Sequence, residues 1–193
     1  MRSIPPARSV ALVSSAATLL WLSAACGGSD AVSPQTPLIP AGTVQAPLAS
    51  ADMQSGGGGV SVTPKSIPEG YFAASIAVHV VNARPSTTYI VQRAPEFGRA
   101  LGSDGVCQRA LGLAPWSPAD TPPAAAFLSF VLPGETSPVS LTTSASGEGS
   151  VTFEFKVPII PTGTRFDVMF RLLNDPMVPS SVFQSACFTV TVL

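Results

Sequence analysis

The chain has 193 residues, with ten Lys and Arg against eleven Asp and Glu and a formal net charge of −1. That balance lacks the surplus of cationic side chains that phosphate binding requires, and it excludes nucleic acid as an expected partner. Hydrophobic residues make up 46% of the chain. No second uncharged apolar stretch of 18 residues or more follows the N-terminal one, which excludes a multi-span helical membrane protein.

In chain order, Arg2 and Arg8 precede an uncharged apolar run from Val10 to Ala25. The run is shorter than the roughly 20 residues a bilayer span needs, and this is the layout of a secretory signal peptide over residues 1–25. Ser23, Ala24 and Ala25 are small enough for a signal peptidase pocket and lead directly to Cys26. The stretch LSAACGG resembles a bacterial lipobox, in which the cysteine after the cut is lipidated and becomes the mature N-terminus. Ser23 departs from that pattern by standing where the family prefers Leu, with Leu22 one place early. The resemblance implies a fatty-acylated Cys26, a membrane contact through this N-terminal lipid, and a place in the cell envelope. Gly27, where a retained lipoprotein would carry Asp, favours the outer membrane. Ordinary cleavage near Cys26 without lipid is the alternative. Removing Arg2 and Arg8 with the signal leaves eight basic against eleven acidic residues, a net charge of −3.

After Cys26 the sequence GGSDAVSPQTPLIPAGTVQAPLASADMQSGGGG has no aromatic residue and only Asp30 and Asp52 as charges. Such a composition cannot repay the entropy of ordering, so residues 26–59 read as a flexible tether. Gly56–Gly59 reads as a hinge, because no Gly-Lys-Ser/Thr follows to make a phosphate loop. On this reading, deleting residues 27–56 leaves the folded part nearly as stable as before.

Residues 60–193 form one expected domain, and their dominant signal is alternation with period two. In VTFEFKV, Val151, Phe153, Phe155 and Val157 oppose Thr152, Glu154 and Lys156. In RFDVMFRL, Phe166, Val168, Phe170 and Leu172 oppose Arg165, Asp167, Met169 and Arg171. In CFTVTV, Phe188, Val190 and Val192 oppose Cys187, Thr189 and Thr191. These are strands with one buried and one wet face. Further strands are expected at Val60–Thr63, Phe72–Asn82, Thr88–Arg93, Ala126–Leu132 and Val139–Thr143, with a helical turn within Val106–Leu113. The last strand, Phe183–Leu193, is expected to be integral to the sheet. About eight short strands between Gly- and Pro-rich turns predict an all-β fold, a single antiparallel β-sandwich, with a closed barrel as the alternative. The stretch LTTSASGEGSVTFEFKVPIIPTGTRFDVMFRL resembles the immunoglobulin-like or fibronectin-type modules of bacterial surface proteins. The antibody-type Cys-Trp-Cys pattern is absent, since Trp116 follows Cys107 inside the Pro-rich loop WSPADTPP.

With Cys26 assigned, Cys107 and Cys187 are left in an exported domain and are expected to form a disulfide. Cys187 lies on the face opposite the inward residues of its strand. Cys107 would therefore fasten the irregular segment before it over the outer face or edge of that strand.

Catalytic and cofactor signatures are missing. His79 is the single histidine, in the strand ASIAVHVVNA, and no Gly-x-Ser-x-Gly or other nucleophile pattern accompanies it. It is expected to pack beside Ala77 and Val81. One histidine and two distant cysteines do not supply a zinc site, the carboxylates follow no calcium-loop pattern, and neither metal nor cofactor is expected. Asp104 and Asp120 sit in loops, where aspartate commonly bonds nearby backbone. One local bias stands out: Arg84, Arg93, Arg99 and Arg109 against Glu96 and Asp104. These arginines are either an anion or partner patch or are paired with Glu96, Asp104, Glu154 or Asp167 on neighbouring strands. The expected function is a non-enzymatic envelope module whose binding partner is another envelope protein or a surface ligand. Alternatives are an accessory subunit of an envelope complex and a hydrolase whose site is assembled from scattered residues.

Overall fold

A computed structural model of the chain describes residues 39–51, 56–67, 71–98, 101–113, 127–158, 160–175 and 183–193. Residues 1–25, read from the sequence as a signal peptide, and Cys26, Arg99, Trp116 and Asp120 lie outside them. The described residues contain ten strands: β1 (Val44–Ser50), β2 (Gly57–Lys65), β3 (Tyr71–Val81), β4 (Thr88–Pro95), β5 (Leu128–Ser129), β6 (Ser140–Thr142), β7 (Gly149–Pro158), β8 (Arg165–Leu173), β9 (Phe183–Ser185) and β10 (Phe188–Thr191). A single four-residue helix, α1 (Gln108–Leu111), lies where the helical turn is expected.

All ten strands belong to one antiparallel sheet in the order β5-β4-β8-β9-β1-β2-β3-β7, with β6 also beside β4 and β10 also beside β8. The expectation of antiparallel strands holds, but hydrogen bonds join them into one sheet, not into the two sheets of a sandwich. The sheet curls into a half-barrel, and side chains far apart in strand order meet across its interior. Phe72 of β3 meets Phe166 of β8 edge-on with ring centroids 5.4 Å apart. Tyr89 of β4 meets Phe183 of β9 at 5.7 Å. Phe130, just after β5, lies 4.9 Å from both Phe153 and Phe155 of β7, bringing the two ends of the sheet together. No backbone pairing joins β5 to β7 among the described residues. The rings of Phe130, Phe153 and Phe155 meet across this seam, while β6 runs into β7 through a turn in which the Ser144 N–H donates to the Glu148 carbonyl at 2.8 Å.

The tether reading is corrected over its second half. β1 pairs with β2 from Val44↔Val62 to Ala49↔Gly57 and with β9 from Leu48↔Ser185 to Ser50↔Phe183. It buries Ala46 and Leu48. Pro47 stands just before the residues that pair with β9, a position where a missing N–H is tolerated. The expected glycine hinge is the first half of β2. Its glycines are needed for close approach: a Cβ on Gly58 would lie 2.0 Å from the backbone oxygen of His79.

The wet face expected for β8 is corrected too, since Asp167, Met169 and Arg171 are all buried. The chain between β4 and α1 packs over this outer face, where Ala94, Cys107, Phe127 and Met169 make a second small apolar cluster. The disulfide Cys107–Cys187 ties that covering segment down, with a Cα–Cα distance of 5.6 Å.

The last strand is integral to the sheet, as expected, but it is broken. β9 pairs with β8 as Leu172↔Phe183 and Arg171↔Gln184, whereas β10 pairs as Val168↔Phe188. One extra residue therefore lies on the later strand, a β-bulge that switches its inward side chains from odd to even positions. Ser185 repairs the ladder there: its Oγ accepts from the Phe170 N–H at 2.9 Å and donates to the Ala186 carbonyl at 2.8 Å. Cys187 sits in the bulge.

Candidate functional site

The structure puts the three described arginines of the sequence patch in three settings. Arg84 is exposed in the turn between β3 and β4, where its carbonyl accepts from Thr143 Oγ1 at 2.7 Å. Arg109 lies on α1, in the covering segment, and donates through Nη1 to the Pro95 carbonyl at 3.1 Å. Arg93 shares its face of β4 with the buried Tyr89 and Val91 and stands opposite Phe170 of β8, so it points into the half-barrel.

At the seam the Arg93 guanidinium carbon lies 4.3 Å from the ring centroids of both Phe130 and Phe155. The two rings are perpendicular, 89° apart, and form a corner around the cation. Such contacts stabilise a cation partly stripped of water. Nη1 also donates to the Ser129 carbonyl at 3.3 Å. Burial, and to a lesser degree the nearby Arg109 charge, lower the Arg93 pKa to about 10. Beneath it lies an apolar recess of about 20 Å³, walled by Phe72, Phe97, Phe155, Phe166 and neighbouring valines.

On the outer side, the covering segment is held by carboxylates. Asp167 of β8 is fully buried and accepts from the Gly105 N–H at 2.7 Å and from Thr189 Oγ1. Glu96, just past β4, is buried, and its Oε1 accepts from the Arg109 N–H while Oε2 has no hydrogen-bond partner among the described residues. Burial pushes the Glu96 carboxyl above the usual carboxylate range. The Arg109 N–H opposes this, and the neighbouring Asp167 and Asp104 add to it. Asp104 has its expected loop role, accepting from the Val106 N–H and from Gln108 Nε2, both at 2.9 Å. Arg171, read from the sequence as a solvated residue, is buried instead. Its Nε donates to Gln92 Oε1 at 2.7 Å, and its guanidinium lies 4.2 Å from the Phe127 ring. Among the described residues, no His, Cys, Asp and Glu gather in threes able to hold a metal ion.

His79 is exposed on the outer face of β3. Two cross-strand rows, Gln45-Ser61-Ala77-Thr152 and Pro47-Gly59-His79-Ser150, floor a shallow trough of about 430 Å³. The imidazole extends over Gly59, whose Cβ, if present, would meet His79 Cε1 at 2.7 Å. Ser150 is its cross-strand neighbour, yet neither a hydrogen bond to that hydroxyl nor a carboxylate orients the ring among the described residues. The trough therefore presents separate hydrogen-bonding groups, not an assembled nucleophile and base.

Compared with protein-family models, curated proteins and solved structures, the chain finds no match. The described residues define an antiparallel β half-barrel with a disulfide-tied cover, and function has to be argued from their chemistry.

Proposed function

We propose that this chain is an exported, non-enzymatic binding or structural module, held to the cell envelope through lipid on Cys26, with the outer membrane as its destination. The observation that carries this reading is the disulfide between Cys107 and Cys187. Such bonds persist in oxidising compartments and are rare where thiols are kept reduced. The bridge also leaves Cys26 as the one cysteine of the chain outside it, at the lipobox-like position. The exposed, unoriented His79 supports a module over a hydrolase.

The test is the intact mass of the mature protein recovered from membranes. An N-terminus at Cys26 carrying an acylated glyceryl group is the expected result. Cys26→Ser should leave the precursor uncleaved or release a soluble exported form. A bare peptide beginning at or near Cys26 would overturn the lipid anchor. Cys107 and Cys187 both found as free thiols in the denatured, unreduced protein would overturn the export argument.

A further inference from the structure

We propose that Arg93 anchors a binding site at the seam between β5 and β7 for a carboxylate carried on a short apolar group. The site belongs to the half-barrel itself and does not depend on where the chain is anchored.

Four observations lead there. Arg93 is an inward-facing cation in a wall of phenylalanines, where β5 and β7 come together without backbone pairing among the described residues. Its charge has no carboxylate partner among the described residues. Glu154, on the adjoining β7, faces outward and pairs with Lys65 at 2.7 Å. Glu96 and Asp167 are bonded to the covering segment on the other side of the sheet. The Phe130 and Phe155 rings meet the guanidinium as a corner and leave its remaining N–H groups with the Ser129 carbonyl as their one bonded acceptor, at a long 3.3 Å. Lastly, the apolar recess beside the cation has room for about one small group of methyl or water size.

A planar carboxylate can take two parallel N–H bonds from the free edge of such a fork. A single methyl or methylene group attached to it matches the room in the apolar recess. A doubly charged phosphate would lose more hydration in the same wall of rings and gain no extra donor. The carboxylate could belong to a free short-chain acid or to an acidic side chain of a protein partner. The two share the same chemistry at Arg93.

The experiment follows the Arg93 Nε–H and the Phe130 and Phe155 ring signals by NMR in the folded protein. Acetate, acetamide, inorganic phosphate and the peptides acetyl-Val-Glu-Val-amide and acetyl-Val-Gln-Val-amide are titrated separately. Saturable shifts with acetate and with the Glu peptide, and none with acetamide, phosphate or the Gln peptide, are expected. Arg93→Lys should weaken binding about tenfold and Arg93→Met should abolish it, in variants whose melting shows them folded. If the Glu peptide binds tighter than acetate, the source is a protein side chain; the reverse order assigns a free acid. No saturable shift in the wild-type protein with either carboxylate, or phosphate binding as well as acetate, would overturn the proposal.

Discussion

Replacing both bridging cysteines, Cys107→Ser with Cys187→Ser, should release the covering segment before it unfolds the sheet. The bridge spans 80 residues. On the chain-entropy account a loop of that length contributes about 4.5 kcal/mol at most, and measured bridges commonly deliver about 2 to 4. For a domain of this size, about 2 to 4 °C of melting temperature accompanies each kcal/mol, so a fall of roughly 5 to 15 °C is expected. The main core, from Leu48 and Val60 through Phe170 to Val190, has no atoms in the bridge and should stay cooperative. Without the bridge, the segment is held by the small cluster around Met169 and by the carboxylate bonds of Glu96 and Asp167. Those bonds are open to local breakage. Amide exchange resolves the two effects. The Gly105 and Arg109 amides should lose protection well beyond the global change, while amides of β3 lose only the global amount. Melting within about 2 °C of the parent, or equal loss at Gly105 and β3, would refute the account of the bridge as a fastener of this cover.

Leu48→Ala removes an almost fully buried side chain from β1 and should cost about 3 to 5 kcal/mol in denaturant unfolding; a loss below about 1 would return that segment to the tether. Gly58→Ala should cost about 1 to 3 kcal/mol by forcing β2 away from the His79 carbonyl. Gly57→Ala, whose nearest neighbour would be the Leu48 carbonyl at an ordinary 3.6 Å, should cost less, and equal effects would contradict the packing. Glu96 holds its proton more tightly folded than unfolded, so the native state binds more protons and stability falls as pH rises from about 4 through the raised pKa. Glu96→Gln should remove that slope in urea unfolding followed from pH 4 to 8, and parallel curves for the two proteins would sink the assignment.

Where alternation was the whole signal, the sequence was readable. Val151 to Val157 and Phe166 to Leu172 mark β7 and β8 because one face is buried and side chains change face at every residue. The same rule misled on the second face of β8. Asp167 and Arg171 suggest water, but the covering segment supplies amides, a hydroxyl and an aromatic ring to receive them. Met169 between them was the visible hint. β1 escaped notice because Ala46 and Leu48 are its whole buried face, with a proline between them. Its order comes from pairing with strands on both sides, and local composition does not record that. The bulge was written in the parity of Phe183 against Phe188, a period-two pattern broken by one residue. Arg93 was noticed for its charge, yet its inward direction followed from sharing parity with Tyr89 and Val91. Its lack of a counter-ion, like the corner of rings around it, depends on residues distant in sequence.

The pairing of β1 with β9 joins Leu48 to Ser185, nearly the two ends of the described chain. A contact of that sequence separation must bring together the ends of a very long loop before it gains any stabilisation, and folds rich in such contacts form slowly. The middle of the sheet cannot be completed by a nascent chain, because β8 waits for β9 and β10 and β1 waits for β9. Completion of the sheet therefore waits until β9 and β10 are available. Until then the edges of β1 and β8 are open templates for misassociation.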